Sequence, residues 1–451
     1  MVILSGCASY YQKQVKVQRK LEKGNVGAAL NALPEDKKAA KGRNELLFYL
    51  EKGSLAFLNG KNELCLEYLN KADFYIEDQK LDVGKYALSL LTNPNVMDYR
   101  PEDHERVMIH YYKSLAYLQL GKNEEARIEA RRLNIQLNTL NDKYPKKNRY
   151  SVDAFAWVIM GMAYDADQEY NNAFIAYRNA YNAYAETYKP LFGMEAPLQL
   201  KKDLIRTAYL GGLSTEGKYY EKECNLKYDK SEPKAEGIVI WNNGLAPIKD
   251  QSSLDFVVQK GQGGAIYLQN AALGLSIPYP VNSAEEGSGS IADLNFFRVA
   301  IPRYLERRPL FYGASVIMNG ENFDLQRAED INQIAFKTLE DRMLREISSA
   351  VVRLAAKKAS EYALRQQNGD LGAVLGLINM FSEQADTRNW QSLPHTIHYT
   401  RISGQEGNQK ITLNTYGSNQ RNGKVSQSKD YSITLKENTL KFFVFNTFDS
   451  K

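Results

Sequence analysis

The sequence predicts a multidomain chain: an all-α array of helical hairpins followed by an α+β domain. Three observations predict it. Small residues recur at fixed spacing within a helix-period background between residues 53 and 180. The composition changes at a charged stretch, residues 227–236, which contains Pro233. Beyond that stretch, short runs rich in β-branched and aromatic residues alternate with Gly, Asn and Ser turns. A chain of 451 residues is also too long for one ordinary core. The expected divisions are a short leading segment 1–7, a helical domain 8–225, a linker 226–236 and an α+β domain 237–451.

The helical half is argued from its repeats. Around residue 160 the chain runs Trp157, Met160-Gly161, Tyr164, Ala173, Tyr177, Ala180. The same offsets recur at Ser114, Tyr117, Gly121, Ala126, Ala130 and Leu133, and again at Gly53, Ala56, Gly60, Cys65, Leu69 and Ala72. Three copies at one internal spacing resemble the tetratricopeptide pattern. Gly53, Ser114 and Gly161 are expected where the first helix of a hairpin crosses the second, with Ala126 and Ala173 as their small counterparts. Gly60 and Gly121 suit the tight turn between helices, because glycine tolerates positive φ. Successive copies are spaced more widely than in a regular array, with extra residues at 73–99 and 134–150, so an irregular stack is expected. Residues 10–33 read as a preceding hairpin, and 198–224 as a capping pair that hides the last apolar face. The resemblance implies a concave surface that takes peptides or partner proteins. Tyr164 and Tyr177 are expected in the core, whereas Tyr181 and Tyr184 escape the pattern and are candidate partner contacts.

In the second half, residues 237–241 read as a buried strand ending in the turn Asn242-Asn243-Gly244. Residues 296–301 read as a strand stopped by Pro302, and 315–324 as a hairpin around Asn319-Gly320. A helical region is expected over 327–367, then strands over 396–402, 410–416, 431–435 and 439–445. The apolar run 371–381 is too short to span a bilayer and is expected to be a buried helix.

Several functions are disfavoured. The net charge of +5 is small for this length and its cations are interspersed with acids, which argues against nucleic acid as a partner. His395 and His398, three apart on a strand, point to opposite faces, and His104 and His110 fall on different faces of a helix. The segment 261–264 lacks the lysine and helix of a phosphate-binding loop, and no Gly-x-Ser-x-Gly elbow occurs. No catalytic residue, metal or cofactor is therefore nominated. Cys65 and Cys224 could form a disulfide in an oxidising compartment, but Cys65 sits at a helix-packing position, which favours a buried free thiol.

Two further features concern place. Leu4-Ser5-Gly6-Cys7 resembles the bacterial lipobox, in which Cys7 becomes the lipidated first residue. Several acyl chains on one residue give stable attachment. No Asp follows Cys7 and no acidic cluster comes after it, which by similarity to lipoprotein sorting favours a periplasm-facing outer-membrane location. The stretches 243–249 (Asn-Gly-Leu-Ala-Pro-Ile-Lys) and 385–394 (Ala-Asp-Thr-Arg-Asn-Trp-Gln-Ser-Leu-Pro), and more weakly 300–304, resemble signatures of a family of poorly characterised bacterial lipoproteins. That family joins an N-terminal tetratricopeptide region to a C-terminal α+β domain. The resemblance implies a role in envelope assembly, since members are often encoded beside the lipoprotein activator of penicillin-binding proteins, and it brings no enzymatic activity. Asp386 and Arg388 are expected to pair with each other or with buried backbone, and Trp390 to plug a core. If this half holds a ligand or partner site, Asp386, Arg388 and Trp390 are its candidates. The reading is a scaffold for other envelope proteins, held at the outer membrane by its lipid anchor. The alternative is a polysaccharide- or ligand-binding lipoprotein with its cleft in the C-terminal domain.

Overall fold

The computed structural model describes residues 8–33, 42–78, 83–142, 152–228, 235–260, 266–271, 274–279, 296–367, 384–417 and 425–449. Cys7, the run 371–381 and the segment 261–264 lie outside them. The helices of the first half are α1 (Ala8–Glu22), α2 (Val26–Ala32), α3 (Glu45–Leu58), α4 (Asn62–Asp78), α5 (Val83–Leu91) and α6 (Asp103–Gln119). They continue as α7 (Asn123–Asp142), α8 (Ala154–Ala166), α9 (Tyr170–Ala183), α10 (Lys189–Phe192), α11 (Leu198–Leu210) and α12 (Ser214–Cys224). Among the described residues five antiparallel hairpins stack in series: α1/α2, α3/α4, α6/α7, α8/α9 and α11/α12.

The small residues set the helix crossings. A Cβ on Gly53 would stand 2.6 Å from the Leu69 side chain, and one on Gly161 2.4 Å from the Tyr177 ring. Any side chain there would push the paired helices apart. At the equivalent place Ser114 donates to the Ala126 carbonyl of the facing helix at 3.3 Å. Ala72, Ala126, Ala173 and Ala180 are fully buried, while Tyr117, Trp157 and Tyr164 are half-buried beside the core. Gly60 and Gly121 turn the chain at φ +73° and +72°. The extra residues 73–99 hold the end of α4, then α5 and a 3-10 turn (Pro94–Val96), and α7 overruns to Asp142. Such insertions make the stack irregular.

The second half holds eleven strands among its described residues: β1 (Ala235–Asn243), β2 (Ile248–Lys260), β3 (Ile266–Asn270), β4 (Leu275–Tyr279), β5 (Phe296–Leu305) and β6 (Phe311–Met318). After β7 (Glu321–Asp330) comes α13 (Ile331–Gln367), then β8 (Thr396–Gly404), β9 (Gly407–Gly417), β10 (Val425–Leu435) and β11 (Leu440–Thr447). They form a seven-stranded sheet, β10-β9-β6-β7-β8-β1-β11, and a four-stranded one, β4-β3-β2-β5. A flat seven-stranded sheet would hold its edges roughly 29 Å apart at the usual strand spacing. Here the edge strands β10 and β11 are joined by a short turn, and the Tyr431 and Phe445 rings lie 4.3 Å apart. The sheet is therefore curled into a half-closed barrel. Its interior is filled by alternate residues such as Val239, Trp241, Val316, Ile402, Leu413 and Leu435.

The outward-facing residues of β1, β8 and β11, among them Ile238, Ile240, Ile397, Tyr399 and Phe442, share one core with the helices. β1 is thus buried on both faces, which explains its unbroken apolar run. The smaller sheet instead packs Phe256, Leu268, Phe297 and Val299 onto Ile347, Ala350 and Val351 of α13.

Four sequence expectations need correction. The strand expected to stop at Pro302 continues to Leu305, with Pro302 opposite Gln251. β5 lies at the edge of its sheet, where a missing N–H is tolerated. Residues 327–330 belong to β7, held to β8 across a bulge, so the long helix begins only at Ile331. The linker expected over 226–236 already contains the start of β1. β2, β3 and β4 were not foreseen, because their outer faces carry polar side chains that interrupt any apolar run.

Candidate functional site

The groove of the helical stack is the natural place for a ligand, and it is filled by the chain itself. α6 is buried along nearly its whole length, polar side chains included, because helices lie on one side and the second half on the other. The occupant at one end is the stretch 385–394. Trp390 is fully buried, with its indole N–H directed to Ser54 Oγ and Ser392 Oγ, each at 3.0 Å, and its ring 5.8 Å from Tyr112. The backbone beside it is held by carboxylates of the groove: Trp390 N–H donates to Glu105 at 2.6 Å and Gln391 N–H to Glu51 at 2.9 Å. Burial and the nearby Glu102 charge push the Glu105 carboxyl up to about 7, against the pull of its hydrogen-bond donors. Burial likewise raises Glu51.

Arg388 donates to the Arg43 and Met97 carbonyls and to Asn44 Oδ1, pairs with Asp386 at 2.6 Å and lies over the Tyr99 ring. The stretch 243–249 supports it from below, with Asn389 donating to the Pro247 carbonyl and receiving the Lys249 N–H. Arg307 ties the same layer to α1 by bonding the Ala246 and Gln391 carbonyls and Gln18. The stretches 243–249 and 385–394 therefore form the dock between the two halves. The third, 300–304, ends in Tyr304, whose ring packs against His104 of α6.

Further along, Lys249 and Arg342 converge on Glu102. Burial alone would raise that carboxyl, but the two cations outweigh it and hold it below the usual range. Tyr111 donates to Asn242 at 2.8 Å, Tyr184 to the Ala328 carbonyl at 2.6 Å, and Tyr188 to Glu329 at 2.7 Å. Glu329 is raised by burial and by Asp153, to which it is hydrogen-bonded. At the far end Arg401 of β8 bonds Asp203 of α11 at 2.8 Å and Asp165 of α8 at 2.5 Å, and Arg206 also pairs with Asp165. Burial raises both carboxyls, but Asp165 receives two guanidinium groups and ends below its ordinary value, while Asp203 stays above it.

These contacts place the sequence candidates. Tyr184 is fully buried against β7, so it is a seam residue and not a contact for a separate partner. Tyr181 is half-buried and packs edge-on against Tyr220 of α12. Asp386, Arg388 and Trp390 meet in one place, but their partners are residues of α3, α6 and the turn near Met97. Missed by sequence reasoning were Glu51, Glu102, Glu105, Asp165, Asp203 and Arg401. Their signal, had it been followed, was charge at inward positions of otherwise apolar helices and strands.

A second cluster joins Asp73, His110 and Glu129, close enough to share an ion. The Lys113 ammonium already bonds Asp73 at 3.0 Å and Glu129 at 2.9 Å, so the carboxylates have their cation. Cys65 is buried and Cys224 half-buried, both as free thiols. No described helix is long and apolar enough to cross a membrane.

No family model matches the chain, and no curated protein matches it. Among solved structures it is similar to a MamA protein at 18% identity, covering 47% of this chain and 88% of that one, with a TM-score of 0.31. It is also similar to MamA from Desulfovibrio magneticus RS-1 at 15% identity, covering 48% and 90%, with a TM-score of 0.31. A Podosopora anserina putative kinesin light chain with TPR-like repeats matches at 13% identity, covering 48% and 92%, with a TM-score of 0.33. At such scores the class, TPR-like helical repeats followed by a sheet-rich region, rests on the hairpin packing described above.

Proposed function

We propose that this protein is a lipid-anchored scaffold of the cell envelope, facing the periplasm from the outer membrane, that binds other proteins through its outer surface. The observation that carries the scaffold reading is the occupied groove. Because Trp390 and its neighbours fill the inner face, the helical stack is braced as a rigid platform, and partners are left the convex side. Ile128 and Ile135 on α7 and Ile175 on α9 are exposed, and this reading assigns them to the partner contact. The absence of a catalytic role is part of the proposal: the buried acids and bases of the seam are engaged in joining the halves. Anchoring rests on Leu4-Ser5-Gly6-Cys7.

Crosslinking of the full-length protein in cells tests the surface. Ile128→Asp with Ile175→Asp is expected to lose crosslinked partners while the fold, followed by circular dichroism, is kept. Partners recovered equally by the double variant would sink the convex-face reading. Membrane fractionation of Cys7→Ser beside the wild type tests the anchor, and an unchanged outer-membrane fraction would exclude lipidation at Cys7.

A further inference from the structure

We propose that the cleft between α11 and the open ends of β7 and β8 is a binding site for a neutral glycan segment. It is separate from the filled groove and from the convex face. The cleft has a volume of about 620 Å³, within the roughly 300–1,000 Å³ of ordinary small-ligand sites. Its floor is built. Asp203, only 1% exposed, lines the cleft, and its Oδ2 has no hydrogen-bond partner among the described residues. The Nε of Arg206 beside it is likewise without one. Both atoms are covered, and Asp203 Oδ1 is held by Arg401 and Gln199, so the floor is a fixed polar base and the ligand contacts fall to the residues that stand above it.

The lining points to the ligand class. Lys202 and Lys227 are balanced by Glu321 and Asp324, which favours neither a polyanion nor a polycation. The amides of Gln199 and Gln326 and the Asp324 carboxylate offer planar donors and acceptors side by side, as adjacent hydroxyl groups require. Gln326 is already fixed, accepting the Gln199 N–H at 3.1 Å. At the mouth stands Tyr228, stacked on Tyr209 with centroids 4.9 Å apart and planes 10° apart, and held by its own N–H on Glu221 at 2.8 Å. A fixed aromatic face beside planar polar groups fits the alternating C–H and O–H faces of a sugar ring. The site is assembled from both halves of the chain, so it exists only when they are docked.

Titration calorimetry and saturation-transfer NMR on the full chain test this, with tri-N-acetylglucosamine, maltotriose and a short neutral peptide as probes. One of the two sugars is expected to bind in the millimolar range or tighter. Asp324→Ala, at an exposed position, is expected to weaken binding by about tenfold with an unchanged melting temperature. Tyr228→Ala serves as an independent second variant, should Asp324→Ala disturb folding. Failure of both sugars to bind, binding that neither variant weakens, or binding of the peptide alone would each overturn the assignment.

Discussion

The two ends of the seam join the same halves by different chemistry. Near α3 and α6 the joint is closed: Trp390 fills a slot, its indole N–H is satisfied, and carboxylates accept its backbone amides. Near α8 and α11 the joint is ionic, with Arg401 set between Asp165 and Asp203, and it borders an open cleft. A slot filled by a ring gains from apolar burial and leaves little over. A buried ion cluster must first offset the desolvation of every member, and what is left unpaired can serve something else. The closed end holds the halves in register, and the ionic end supports a surface.

The largest expected effect is at the closed end. Trp390→Ala should cost about 5 kcal/mol, since a large buried ring is lost and Ser54 and Ser392 lose a donor. Urea unfolding followed by far-ultraviolet dichroism measures it, and a loss below about 2 kcal/mol would break the account of that end. Arg401→Met should cost on the order of 4 kcal/mol by leaving Asp165 and Asp203 short of a cation. Asp165→Leu added to it should restore part of the loss, and a double variant no better than the single one would show that charge pairing is not what matters there.

Glu105 and Asp165, one from each end, should also answer pH in opposite directions. Glu105 is raised from 4.5 to about 7, so its stabilisation is full below the ordinary carboxyl value and fades as pH rises through about 7. That fading is on the order of 3 kcal/mol. Asp165 is lowered, so its contribution is present above its ordinary value and disappears as pH falls into acid. Melting between pH 5 and 8 should therefore show a decline in the wild type that Glu105→Gln flattens, and parallel curves would refute the assignment to Glu105. Smallest is Tyr184→Phe, expected to cost about 1 kcal/mol for the lost bond to the Ala328 carbonyl, read from the urea midpoint.

Much of the helical half was legible, because packing at crossings is periodic. Gly53, Ser114 and Gly161 are separated by chain in proportion to the hairpins, so a one-dimensional pattern reports a three-dimensional contact. The β6–β7 hairpin was legible in the same local way through Asn319-Gly320, which adopts φ +52° and +83°. The docking of the halves was not. Trp390 meets Ser54 across 336 residues and Arg401 meets Asp203 across 198, and contacts that distant leave no spacing to read. Trp390 as a core plug could be argued from its type, but not that the core belongs to a helical groove. Arg401 and Asp203 stand at inward positions of a strand and a helix, but that local signal does not say that they meet each other.

The pairing of β1 with β11, in parallel register from Glu236↔Leu440 to Asn243↔Thr447, imposes an order of events on synthesis. The hairpin stack can form as soon as it emerges, but the strand that completes the barrel beside it is made some two hundred residues later. In that interval the inner face of the stack, its apolar side chains and its carboxylates alike, is uncovered and without its Trp390 stretch. Removing residues 440–447 should leave β1 without its parallel neighbour and the sheet open along that edge, while residues 385–394 can still enter the groove.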